Sequence, residues 1–75
     1  MRVLPSALKH GVTEEAIFAA LEVPMREIPH GDDLLLVIGA DRSARLLELV
    51  IADPEGDDER VIHAMPLRGK FYHYL

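Results

Sequence analysis

Seventy-five residues leave room for one small domain, because a chain this short cannot build two cores and folding hides only roughly 60% of the surface its unfolded form exposes. Hydrophobic residues make up 49% and charged residues 28%, too apolar for a disordered chain, and the absence of cysteine excludes disulfide scaffolds, thiol nucleophiles, iron–sulfur clusters and cysteine-ligated zinc. The net charge of −5 argues against nucleic-acid binding over the whole surface, but all 13 acidic residues fall within positions 13–59, so both ends are basic. Arg2 and Lys9 precede the acidic stretch, and Arg60, His63, Arg68, Lys70 and His73 follow it. Termini that met in space would form a basic patch on an acidic body; scattered solvated charge is the alternative.

Pro5 suits a first helical position, where a missing N–H costs nothing, and Ser6–His10 then makes a short helix ended by Gly11. Thr13 is a good N-cap for a second helix: Glu14 and Glu15 suit its positive end, and Val12 and Ile17 are spaced as a hydrophobic staple. Ile17, Ala20 and Leu21 continue one apolar stripe, and Pro24 stops the helix near Glu22 or Val23. Beyond Pro24 the period changes. Met25–Ile28 reads as a short strand, Pro29–Asp33 as a turn and Leu34–Ile38 as a buried strand. Gly39–Ser43 makes a hairpin loop into the strand Leu46–Ala52, whose Leu47, Leu49 and Ile51 lie on one side and Leu46, Glu48 and Val50 on the other. Asp53–Glu59 is an acidic loop, Val61–Met65 a last strand ended by Pro66, and Leu67–Leu75 a short helix or ordered tail. The expected architecture is therefore α+β, two short N-terminal helices packed on a meander of three or four antiparallel strands.

Leu34–Ile38, the longest aliphatic run, has five residues against the roughly 18 that span a bilayer. Lys9, His10, Glu14 and Glu15 interrupt any signal-peptide core, so no membrane association and a cytoplasmic location are expected. His10, His30, His63 and His73 show no metal-ligand spacing, and no glycine-rich phosphate loop occurs, so neither metal nor cofactor is expected.

Lys9-His10-Gly11-Val12-Thr13-Glu14-Glu15 with Pro24 after an apolar helix resembles the opening of the BrnT family of toxins. Leu34–Gly39 with Arg45–Val50 is similar to that family's "IG … GRLL" strand pair, and Arg60–Ala64 takes the place of its "IRIISA" strand. The resemblance covers roughly residues 8–65. It implies a single RelE-like domain and the toxin half of a type II toxin–antitoxin module, a metal-independent endoribonuclease acting on mRNA. The implied partner is a cognate DNA-binding antitoxin, in a heterotetramer with it or beside a homodimer of the toxin. The chain departs from the family where Met65 and Pro66 follow Ala64, a position the family gives to Arg, and where the family's basic terminal helix is replaced by a segment with only Arg68 and Lys70 as fixed cations. A catalytically silent interaction module of the same fold, binding the antitoxin, another protein or a second copy, is the alternative.

Metal-free RNA cleavage needs a base for the 2′-OH, an acid for the leaving oxygen and cations for the developing charge. His63 and Arg68 are the catalytic candidates, since imidazole titrates near neutrality and a guanidinium grips phosphate bidentately. His63 shares a strand face with Val61 and Met65, which gives it a second reading as a partly buried, hydrogen-bonded histidine. Lys9, His10 and Lys70 are candidates for RNA contact, with Tyr72 stacking on bases; Lys9 and His10 also suit a helix C-terminus, and Tyr72 a tail covering the sheet. Arg42 and Arg45 flank the hairpin, which Asp41 is placed to steady.

Overall fold

A computed structural model describes all residues 1–75. Five strands form one mixed sheet in the order β1-β5-β4-β3-β2, where β1 is Arg2–Val3, β2 Pro24–Pro29, β3 Leu34–Ala40, β4 Leu46–Ala52 and β5 Arg60–Pro66. One α-helix, α1 (Glu14–Glu22), packs on one face, and a 3₁₀ helix (Gly69–Tyr74) lies against the other. No helix is long and apolar enough to cross a membrane.

The α+β class holds, but the expected two helices on a three- to four-stranded antiparallel RelE-like meander are corrected in both layers. The first segment makes only a 3₁₀ turn, Pro5–Ala7, because the stretch before Gly11 is too short to propagate an α-helix and Gly11, at φ +82°, turns the chain away. The sheet gains β1, which pairs in parallel with β5 through Arg2 opposite Arg60 and Val3 opposite Val61. Two residues carry no readable alternation; the pairing is fixed by the opposite end of the chain.

Helix α1 begins as its sequence dictates. Thr13 Oγ1 accepts the backbone N–H of Ala16 at 3.1 Å, Glu14 and Glu15 fill the first turn, and Ile17 and Ala20 are buried. These two residues join Ala7, Val12, Val37, Leu47, Leu49, Ile51, Val61 and Ala64 in the larger core. Gly39 lets the helix approach closely: a β-carbon there would run into the carbonyl of Ala20. On the opposite face Leu36, Val50 and Phe71 form a smaller cluster, with Ile28, Leu34, Ile62, Leu67 and Tyr74 around it.

The turns obey local chemistry. Asp41 Oδ1 accepts the N–H groups of Ser43 and Arg45 at 2.9 Å each, and its Oδ2 accepts Arg45 Nε at 3.1 Å. The Arg45 backbone N–H, first among these donors, holds the Asp41 carboxyl below its usual range. In the 53–59 loop, Asp53 and Glu59 accept the backbone N–H groups of Asp58 and Glu55.

Candidate functional site

Strand β5 carries a bulge. Val50 faces His63 and Ile51 faces Val61, so Ile62 is an extra residue with no partner across the ladder. Simple alternation puts His63 on the face of Val61; the bulge moves Val61 into the α1 core and turns His63 toward the other face, beside Glu48. The sequence gives no sign of this shift.

Glu48 is the centre of that face. Alternation places it opposite the helix, where a charged residue is expected in solvent, yet it is fully buried, roofed by the chain from Leu67 to the 3₁₀ helix. Its Oε1 accepts the backbone N–H and the Nε of Arg68, both at 3.0 Å. Oε2 accepts Arg68 Nη2 at 2.6 Å and Arg68 Nε at 3.1 Å, and lies 2.9 Å from His63 Nε2. Burial by itself pushes the Glu48 carboxyl up, but the Arg68 and His63 hydrogen bonds and the Arg68 charge outweigh it and hold the group below the usual glutamate range. The same hydrogen bonds push Arg68 further up. Glu48 is thus a buried, ionised acceptor, the one charged residue of the interior, and no buried side-chain polar atom lacks a partner.

Both predicted catalytic residues therefore meet on one carboxylate oxygen. His63 is 23% exposed at its side chain and Arg68 42%, so the carboxylate is sealed while its two partners reach solvent. Arg68 keeps Nη1 free of protein partners. His10 comes to the same place from the other end of the chain: its ring stands edge to face with that of His63, 5.6 Å between centroids. The loop after the 3₁₀ turn delivers it, anchored by Leu4 N–H to Val61 O at 3.0 Å and Ser6 Oγ to Ile62 O at 2.7 Å.

The remaining RNA-contact candidates are more dispersed. Lys9 is exposed beside His10, and Lys70 Nζ lies 5.0 Å from the centroid of the Phe71 ring, which Arg68 also covers at 5.5 Å. Tyr72 is 58% exposed, whereas Phe71, with Leu67 and Tyr74, packs on the sheet. The expected basic patch is only partly formed, because Arg2 and Arg60 both bind Asp58, at 2.7 and 3.2 Å. Lys9 and Lys70 make no ion pair.

Sequence reasoning missed Glu48. Its one signal is a lone carboxylate among Leu46, Leu47, Leu49 and Val50 in a strand of otherwise apolar residues. No group of three or more His, Cys, Asp or Glu side chains is disposed to hold a metal ion. The single concavity, about 180 Å³ between the start of α1 and the Asp41–Arg45 hairpin, lies away from this cluster; its lining is almost wholly polar, and the chemistry sits with the histidines on the open face instead. No protein-family model, curated protein or solved structure matches the chain.

Proposed function

We propose that the chain is a metal-independent endoribonuclease acting on mRNA in the cytoplasm, with His63, His10 and Arg68 as its working groups. The observation that carries the reading is the meeting of two imidazoles and a guanidinium, drawn from three separate segments, on one solvent-facing patch. The 2′-OH gives its proton to His63 and the 2′-oxygen attacks phosphorus. The bond from phosphorus to the 5′-oxygen breaks, and that oxygen takes a proton from protonated His10, leaving a 2′,3′-cyclic phosphate and a 5′-hydroxyl. Arg68, through its free Nη1, holds the developing phosphorane charge. Lys9 and Lys70 attract the strand locally, since a chain of net charge −5 has no general affinity for RNA.

The fold contributes nothing to this reading, which rests on the site and on the resemblance of the Lys9–Glu15 opening and the paired strands to BrnT toxins. That resemblance supplies the partner, an antitoxin whose binding silences the chain. A catalytically silent interaction module is the second reading, favoured by one feature: Glu48 already neutralises the guanidinium that would hold phosphate. Controlled expression of the wild type beside Arg68→Ala and His63→Ala, with growth followed and new RNA 5′ ends mapped, separates the two. Growth arrest with a reproducible set of cleaved ends in the wild type alone supports the nuclease. Equal growth of all three strains, with intact RNA and soluble protein, turns the search toward a binding partner.

A further inference from the structure

The ribonuclease scheme uses His63 and Arg68 but leaves their common partner without a task. A carboxylate buried under a 3₁₀ helix is not accounted for by stability alone, because apolar side chains of similar volume generally serve a core as well or better. Glu48 also has neighbours that fit such a replacement, with Val50 and Leu36 on the same face. What Glu48 does that no apolar residue does is dictate where the His63 hydrogen sits.

We infer that Glu48 is a positioning residue that locks His63 in the tautomer with hydrogen on Nε2, leaving Nδ1 as the proton-accepting atom of the site. The donors and acceptors around the carboxylate leave one arrangement. An ionised carboxylate only accepts hydrogen bonds, and every donor around Glu48 other than His63 belongs to Arg68, which only donates. The 2.9 Å contact between Nε2 and Oε2 therefore requires a hydrogen on Nε2. In neutral imidazole the other nitrogen is then the acceptor. Nδ1 makes no hydrogen bond to the protein, and the ring remains partly open to solvent. The charged or titratable groups around the ring are Glu48, with Arg68 bound to the same carboxylate oxygen, and His10 beside the ring in an edge-to-face arrangement. A tautomer fixed by a buried partner keeps Nδ1 free of hydrogen in every neutral molecule, so no fraction of the population waits with the proton on the wrong nitrogen. That Nδ1 takes the 2′-OH proton rests on the ribonuclease reading; the tautomer itself does not.

The test is ¹⁵N NMR of the imidazole nitrogens of the full chain, above the pH range in which histidine is charged. In the wild type, the His63 signals are expected to show hydrogen on Nε2 and a bare Nδ1. Glu48→Gln is expected to reverse this. Arg68 takes the amide's one acceptor oxygen, the amide NH₂ is left facing His63, and Nε2 must accept. The same variant is expected to cleave RNA at least about 100-fold more slowly, the scale of a lost general base, while binding a non-cleavable 2′-deoxy strand no more weakly than the wild type does, since the substitution removes a negative charge beside Arg68. Should the variant not fold, the wild-type spectrum decides alone: hydrogen on Nδ1, or an even mixture, overturns the inference whatever the cleavage assay reads. Hydrogen on Nε2 in a wild type that cuts no RNA supports the positioning role of Glu48 and overturns the ribonuclease reading by itself.

Discussion

The two faces of the sheet are held by different physics. Under α1, ten buried side chains meet with no charge among them, and that face is stabilised by apolar area removed from water. On the other face the buried apolar residues are fewer: Leu36, Val50 and Phe71 form a cluster under the C-terminal segment, Ile38 and Ala52 lie on the same side of their strands, and an ionised carboxylate gripped through five hydrogen bonds sits among them. The first face tolerates no water and offers no chemistry. The second gives up part of its packing to hold a histidine and an arginine at the surface. In a chain this small the helix face must then supply most of the stability, and the other face is the one free to serve a site.

Removing packing is the most direct way to break the comparison. Leu49→Ala, on the helix face, is expected to lose about 2–5 kcal/mol, enough to leave a 75-residue domain largely unfolded, whereas Val50→Ala, next to it on the other face, costs less than half as much. Urea denaturation of both variants checks this, and equal losses would show that the faces share the load. Gly39→Ala tests the same face by crowding. The added methyl group meets the Ala20 carbonyl and forces α1 outward, at an expected cost of about 1–3 kcal/mol.

The smaller effects belong to the carboxylate face. Arg68→Ala leaves Glu48 with His63 as its only side-chain partner, and hydrogen exchange should show residues 69–75 losing protection while α1 keeps its own. Acid acts on the same cluster. Because the Glu48 carboxyl is held below its usual range, the stability it contributes is complete above the ordinary glutamate value, about pH 4.3, and is lost as the pH falls through the lower native-state value. Glu48→Leu should keep stability at pH 7 within about 1 kcal/mol of the wild type and flatten this acid limb; Asp41, which is shifted the same way, adds to the slope that remains. A chain whose acid sensitivity is unchanged by Glu48→Leu would place the titrating group elsewhere.

How much of this was legible in the sequence follows the same division. The cap at Thr13, the stripe of Ile17 and Ala20, and the alternation that sends Leu47, Leu49 and Ile51 to one side are local signals, and the structure bears them out. Strands β3 and β4, and the turn chemistry of Asp41, were readable for the same reason. Three things were not. Strand β1 exists only because β5 offers it an edge, the Ile62 bulge is a property of the pairing of two strands, and Glu48 is buried only because Arg68, 20 residues later, returns over it. Each is decided by long-range contact, which periodicity does not encode. His63 and Arg68 stand out in the sequence by residue type and by their place at its basic end; that they share one carboxylate does not.

The central claim is that His63 cleaves RNA with the partners found around it. Its most direct test is incubation of the purified chain with a labelled RNA oligonucleotide in the presence of EDTA, beside a folded His63→Gln variant. The account predicts fragments ending in 2′,3′-cyclic phosphate from the wild type and at least about 100-fold less from the variant. Intact RNA after exposure to folded wild-type protein, or equal cleavage by both proteins, would contradict it.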